Sequence, residues 1–264
     1  MQLIVDVSNV LTRAYHAYPE NEQRTWAIIG FTNMMLDTIK RYNPTKMHFC
    51  FDVPGGCWRH KLYPDYKANR EEKHPHLTYQ LNKARETMAR LGFSVYAAQG
   101  FEADDLIATL VQCLDKPVVI LSGDKDLMCL VREGVAMVRY TTRFKDQVII
   151  SEERIAQEYG FPPASIPHMY ALMGDAGDNV PGVKGIGEVN ADKLIKKYRT
   201  LDNLYDHVTE IGGALQGKLI TGHDKAMLSL ALITLRDDVA LQPKSGNYTK
   251  DLFHSLISIV RNPE

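Results

Sequence analysis

Val118-Val119-Ile120-Leu121-Ser122-Gly123-Asp124-Lys125-Asp126 is a short apolar run, rich in β-branched residues, that gives way at once to two carboxylates. A run that short and that branched reads as a strand buried on both faces. Three more of the same kind lie upstream: Leu3 to Val7, Lys46 to Phe51 and Phe93 to Ala97. Between them, Trp26 to Arg41, Thr78 to Leu91 and Ala103 to Cys113 place apolar residues three or four apart, the spacing of a core-facing helix. This alternation predicts an α/β fold over residues 1–150, with a mostly parallel central sheet, helices on both faces and an edge hairpin at 136–140 and 147–151. From Ser151 the strand pattern stops. Glu152 to Tyr159, Ile166 to Met173, Val189 to Tyr198, Leu201 to Asp206 and Lys225 to Leu235 read as helices of a C-terminal helical subdomain, 151–264.

Composition sets the outer bounds. With 264 residues, 45% hydrophobic and 24% charged, the chain is an ordinary globular protein, which excludes disordered and collagenous classes. It has no 18-residue apolar run and no basic segment ahead of its first strand, so no membrane partner and a cytoplasmic location are expected, with a bacterial host as the setting if the source is a phage. Cys50, Cys57, Cys113 and Cys129 match neither a zinc spacing nor a disulfide framework.

In an open α/β sheet the ligand site lies beyond the carboxyl ends of the strands. Acids follow every predicted central strand: Asp6 after the first, Asp52 after the second, Glu102, Asp104 and Asp105 after the third, Asp124 and Asp126 after the fourth. Any one of them alone reads better as a helix N-cap or a solvated loop acid. Together they bring seven carboxylates to one rim, and Asp175 and Asp178 form a further pair three residues apart. So much negative charge is costly unless cations neutralise it, and hard oxygen ligands in that number suit Mg²⁺ or Mn²⁺. Two such ions are the usual machinery for displacement at phosphorus.

The near-neutral total, 31 basic against 32 acidic residues, hides a local surplus: residues 53–101 carry eight basic side chains against four acidic ones. Within that segment, Tyr63-Pro64-Asp65-Tyr66-Lys67-Ala68-Asn69-Arg70 interleaves aromatic and basic residues suited to bases and phosphates. A second phosphate signal is Val180-Pro181-Gly182-Val183-Lys184-Gly185-Ile186-Gly187, followed by Lys193, Lys196 and Lys197. Glycines there allow backbone N–H groups to approach a phosphate ahead of the next helix. The spacing is not that of a dinucleotide or P-loop motif. Trp58 beside Arg59 reads either as a base-stacking pair or as packing, His74 and His76 as a solvated loop, and Met34-Met35 as packing.

These motifs, with Arg13-Ala14-Tyr15-His16, Phe51-Asp52, Glu102-Ala103-Asp104-Asp105 and Gly174-Asp175-Ala176-Gly177-Asp178-Asn179, resemble the 5′-nuclease (flap endonuclease) superfamily over roughly residues 1–240. That superfamily includes bacteriophage 5′-exonucleases and the N-terminal domain of bacterial DNA polymerase I. The resemblance implies a first metal site from Asp6, Asp52, Glu102 and Asp104, a second from Asp124, Asp126, Asp175 and Asp178, and Asp105 near both. It implies Lys67 as electrophile, with Arg70 assisting. Arg13, Tyr15, Tyr66, Gly182, Lys184, Gly185, Gly187 and Lys193 would meet DNA. A helix-three-turn-helix at about 170–200, often holding K⁺, would grip the duplex, and an arch or clamp is implied at about 54–92. The implied reaction is hydrolysis of branched or 5′-ended DNA (flap, nick or RNA-primed end) to a 5′-phosphate and a 3′-hydroxyl, by a monomer working with replication proteins in trans. The alternatives are a PIN-type ribonuclease, which has no use for the glycine turn and its lysines, and a silent branched-DNA binder, which gains nothing from acids facing phosphates.

Overall fold

A computed structural model describes residues 1–20, 24–141, 146–243 and 250–261. Six strands, β1 (Gln2–Asp6), β2 (Lys46–Cys50), β3 (Val95–Tyr96), β4 (Val118–Leu121), β5 (Val135–Tyr140) and β6 (Gln147–Ile150), form one sheet in the order β3-β2-β1-β4-β5-β6. All neighbours are parallel except β5 and β6, the expected edge hairpin. In β1, Leu3, Ile4 and Val5 are all fully buried: Leu3 and Val5 join one apolar cluster and Ile4 the other. Burial on both faces is why the strands read as unbroken apolar runs.

One face is covered by α1 (Val7–Ala17), α2 (Trp26–Tyr42) and α4 (Pro75–Arg90), the other by α5 (Ala103–Cys113); the short α3 (Trp58–Leu62) precedes α4. The later helices are α6 (Glu152–Tyr159), α7 (Ile166–Met173), α8 (Glu188–Tyr198), α9 (Leu201–Asp206), α10 (Gly213–Ile233) and α11 (Lys250–Arg261). Residue 150 is no break in packing, since Ile155, Phe161, Leu172, Ile195 and Leu219 belong to the same buried cluster as Ile107, Leu110 and Ile120. No helix among the described residues is long and apolar enough to cross a membrane.

Four helices differ from expectation. Helix α1 starts directly after Asp6, and its core residues Val7, Val10, Leu11 and Ala14 do hold the helical period, although polar residues interleave them. Helix α3 has five residues, too few for a periodic signal. Helix α10 begins twelve residues before the expected Lys225, its first half masked by Gly213, Gly217 and Gly222. Helix α11 packs Phe253 against Phe49 and Phe93, with ring centroids 6.1 and 4.9 Å apart, so the last helix completes the core of the first domain.

Helices α7 and α8 are joined by residues 174–187. This segment folds back so closely that a Cβ at Gly182, where φ is +61°, would lie 2.3 Å from the Gly174 amide nitrogen. The Gly182 N–H is donated to Ser229 Oγ at 3.0 Å. Gly182→Ala is therefore expected to cost about 3 kcal/mol of stability through backbone strain and collision. Urea denaturation reads this directly, and a variant as stable as the parent would mean the two backbones are not in contact.

Candidate active site

The strand order reverses between β1 and β4, so the crevice of an open sheet opens at their carboxyl ends. Asp6 caps α1 there: its Oδ1 accepts from Asn9 N at 3.0 Å and its Oδ2 from Ser122 Oγ at 2.7 Å. Ser122 Oγ accepts from Asp124 N, and Asp124 Oδ1 from Asp126 N, each at 3.0 Å. Asp52 Oδ1 accepts from Ala103 N at 2.9 Å, while Asp52 N donates to Ser8 Oγ at 2.9 Å. The capping and functional readings thus coexist, because the acids that start these turns also line a cleft of about 330 Å³. Asp6, Asp52, Glu102, Asp104, Asp124, Asp126 and Asp178 line it, with Arg13, Lys67, Arg70 and Lys73. Asp175 lies in the adjoining recess, and carboxylate oxygens of Asp126, Asp175 and Asp178 fall within 4.8 Å of one another.

Residues 63–70 dock onto the loop that carries Asp175 and Asp178. Lys67 N donates to the Asp178 carbonyl at 2.9 Å, Asn179 Nδ2 to the Asp65 carbonyl at 2.7 Å, and Asn69 Nδ2 to the Ala176 carbonyl at 2.5 Å. Lys67 Nζ lies 2.5 Å from Glu102 Oε1 and 3.5 Å from Asp178 Oδ2, and Arg70 pairs with Asp178 Oδ1. Burial disfavours the Lys67 charge, but Glu102 and Asp178 outweigh it and push its pKa up. Basic segment and acidic loop are one unit.

Other expected residues fall elsewhere. Tyr66 is 5% exposed, with its hydroxyl 3.1 Å from Glu102 Oε2 and from Asp178 Oδ2, so it orients acids and has no face open to a base. Asp105 is fully buried and absent from the cleft lining: Oδ1 accepts from Arg59 Nη2 and Arg236 N, and Oδ2 from Arg59 Nη1 and Trp58 Nε1. Burial works against its ionisation, but the Arg59 hydrogen bonds prevail and hold its pKa down. Tyr15 packs on Trp26, with centroids 5.0 Å apart, and meets the N-cap of α4 through His74. Arg13 reaches the cleft. Gly182 spends its N–H on Ser229, whereas Lys184 and Gly185 line a groove of about 750 Å³ with Lys218, Thr221 and Lys225 of α10. Gly187 is the N-cap residue of α8, which carries Lys193. Sequence reasoning missed Ser8, Asn9 and Ser122, which hold the acids, and saw Arg59 only as the neighbour of Trp58, not as the partner of Glu102 and Asp105. A buried arginine eight residues before Lys67 has no local signature; only its partner acids show its purpose.

Burial, then neighbouring carboxylates, raise Asp6 to about 7 and Asp126 to about 7, and raise Asp104 well above the carboxylate range. A rim of hard oxygen donors that resist joint ionisation fits divalent cations. In the unfolded chain these groups titrate near 3.8, so between about pH 4 and pH 7 the folded state binds more protons and stability falls as pH rises. The metal-free protein is expected to be about 2–4 kcal/mol less stable at pH 8 than at pH 5, and Mg²⁺ or Mn²⁺ to restore the difference. Calorimetry in EDTA and in metal checks this; equal stability at the two pH values would contradict it.

Residues 1–160 match the 5′-3′ exonuclease N-terminal resolvase-like domain, and residues 161–251 the 5′-3′ exonuclease C-terminal SAM fold. The chain is 34% identical over 254 residues to DNA polymerase I of Caldicellulosiruptor bescii, covering 92% of this chain and 30% of that protein. It is 31% identical over 249 residues to a 5′-3′ exonuclease of Bacillus subtilis, covering 90% and 84%. The chain thus spans about 30% of the length of the polymerase relative. Its fold is similar to that of T5 5′-exonuclease with bound divalent zinc (TM-score 0.76, 21% identity, covering 99% and 98%). It is also similar to the catalytic core of Rad2 in complex with DNA substrate (TM-score 0.62, 18% identity, covering 97% and 86%). The fold and the acid-rimmed cleft are those of the 5′-nuclease superfamily. Within it, the chain belongs to the 5′-3′ exonuclease family.

Proposed function

We propose that this protein is a structure-specific 5′ to 3′ exonuclease and flap endonuclease that hydrolyses DNA phosphodiesters to a 5′-phosphate and a 3′-hydroxyl in primer removal or repair. One observation carries the proposal: Lys67 and Arg70, groups suited to a phosphate, are held over the Asp126–Asp175–Asp178 cluster, Lys67 by its backbone N–H and Arg70 by its side chain. Asp126, Asp175 and Asp178 would hold one divalent cation, Mg²⁺ or Mn²⁺, with Asp124 at its edge. Asp6, Asp52, Glu102 and Asp104 would hold a second. When bound, such ions lower the pKa of a water and neutralise charge on the scissile phosphate. The chain's own part is electrostatic and positional. Lys67 and Arg70 take the phosphate oxygens when they leave Glu102 and Asp178, Arg13 and Lys73 add positive charge beside them, and Asp105 stays in the scaffold.

The α7–α8 turn acts as a helix-three-turn-helix that holds duplex backbone, with Lys184, Gly185, Gly187 and Lys193 on the DNA side. The Gly185 carbonyl in this turn accepts from Lys218 Nζ at 3.0 Å, so a K⁺ ion held by that carbonyl would have to displace the ammonium. The substrate class is 5′-ended or branched DNA and the working unit a monomer.

The test is cleavage of a 5′-labelled flap and of a matched linear duplex in Mg²⁺ and in EDTA. Cutting near the flap junction in Mg²⁺ and its loss in EDTA are expected. Tight flap binding without cutting in Mg²⁺ or Mn²⁺ would overturn the nuclease in favour of a DNA-binding protein.

A further inference from the structure

We propose that Arg59 is a positioning residue that aims Glu102 at the cleft, an inference that rests on the nuclease reading above. Arg59 is 2% exposed and its guanidinium is saturated. Nη1 donates to Glu102 Oε2 and Asp105 Oδ2, and Nη2 to Asp105 Oδ1, each at 2.9 Å; Nε donates to the Leu232 carbonyl at 2.7 Å. That carbonyl belongs to the last turn of α10, where helical carbonyls have no partner within the helix. The guanidinium also lies 4.4 Å from the centroid of the Trp58 ring.

Asp105 alone neutralises Arg59, so the bond to Glu102 is surplus to a buried ion pair. Glu102 lines the cleft, and its two oxygens are treated differently. Oε2 is held from the protein side by Arg59 and by the Tyr66 hydroxyl at 3.1 Å, whereas Oε1 faces Lys67 Nζ. The Lys67 side chain is 19% exposed and can leave; that of Arg59, at 2%, cannot. Arg59 thereby fixes which oxygen Glu102 offers to the cleft. The same guanidinium locks Asp105, whose Oδ2 accepts from Glu102 N at 3.2 Å, so backbone and side chain of Glu102 are set by one group. Lysine brings one point charge and no fork, so it cannot hold both carboxylates and the carbonyl at once.

The experiment uses the full chain, with Mn²⁺ titrated by calorimetry beside single-turnover flap cleavage. R59K is expected to weaken Mn²⁺ binding and slow cleavage by about 10–100-fold each, as loss of a ligand's outer partner does. Flap affinity in EDTA should hold within about twofold, because phosphate contacts carry it. E102Q should show similar losses, and R59K/E102Q no more than E102Q alone, while R59K with D175N should be additive. Unchanged Mn²⁺ affinity in R59K, or losses that add to those of E102Q, would reduce Arg59 to a fold staple and overturn the proposal. If R59K fails to fold, D105N, which frees the fork from its main partner, must still weaken Mn²⁺ binding, and wild-type affinity there also overturns it. Absence of cleavage by the parent protein would sink the nuclease reading, while the calorimetric comparison still decides the role of Arg59.

Discussion

Replacing Asp175 and Asp178 together by alanine is expected to slow single-turnover cutting of a 5′ flap by at least about 10³-fold while flap binding is kept or tightened. The two are not equivalent neighbours. Asp178 is 7% exposed and holds Arg70, Tyr66 and Lys67, whereas Asp175 is partly exposed and spends Oδ1 on Gly177 N at 2.7 Å. Losing both leaves Asp126 as the last carboxylate of the cluster, too few oxygen ligands for a divalent cation in the recess. Binding moves the other way because two negative charges facing phosphates disappear. The same variant must also flatten the dependence of metal-free stability on pH, because Asp178 and Asp175 help to raise Asp126. Rates from enzyme in excess, set beside affinities in EDTA, separate the two effects. A double variant that cuts within tenfold of the parent would remove these acids from the site.

How far that site was legible depends on what each residue's signal is made of. The acids were visible because each follows a short apolar run, and the fold rule then places them on one rim. Lys67 and Arg70 were visible through a local motif. Three things were hidden. Tyr66 shares that motif, yet points at acids and not at a base, because its hydroxyl is taken by Glu102 and Asp178, 36 and 112 residues along the chain. Asp105 stands beside Asp104 in sequence, but at the first turn of α5 adjacent residues face different ways, one toward the cleft and one toward Arg59. The groove residues Lys218 and Thr221 lay in a stretch whose glycines concealed α10, and Gly222 is small because Val183 occupies its Cβ space: a Cβ there would lie 2.5 Å from Val183 Cγ1. Each failure is a contact between distant segments, which no local pattern records.

Lys67→Ala is expected to lower the single-turnover rate by about 10²–10³-fold with a much smaller change in flap affinity, the pattern of a group that acts on charge developing in the transition state. Two features set Lys67 apart from a bystander surface lysine. Its backbone sits in the left-handed region, which costs about 1–3 kcal/mol for a side chain without special compensation, and it is kept there by its N–H bond to the Asp178 carbonyl. Its ammonium bridges Glu102 and Asp178, acids from two different parts of the chain, and so stands at the acid rim, where it can meet a phosphate drawn to cations those acids would hold. The strain is the means by which the ammonium is delivered to that point. Lys67→Gly relieves the strain and removes the ammonium, so it should be the more stable of the two variants and just as slow. That pairing separates chemistry from fold: if Lys67→Gly recovers activity that Lys67→Ala lacks, the lysine serves the backbone only. If both are slow with flap affinity nearly intact, the ammonium itself acts on the scissile phosphate.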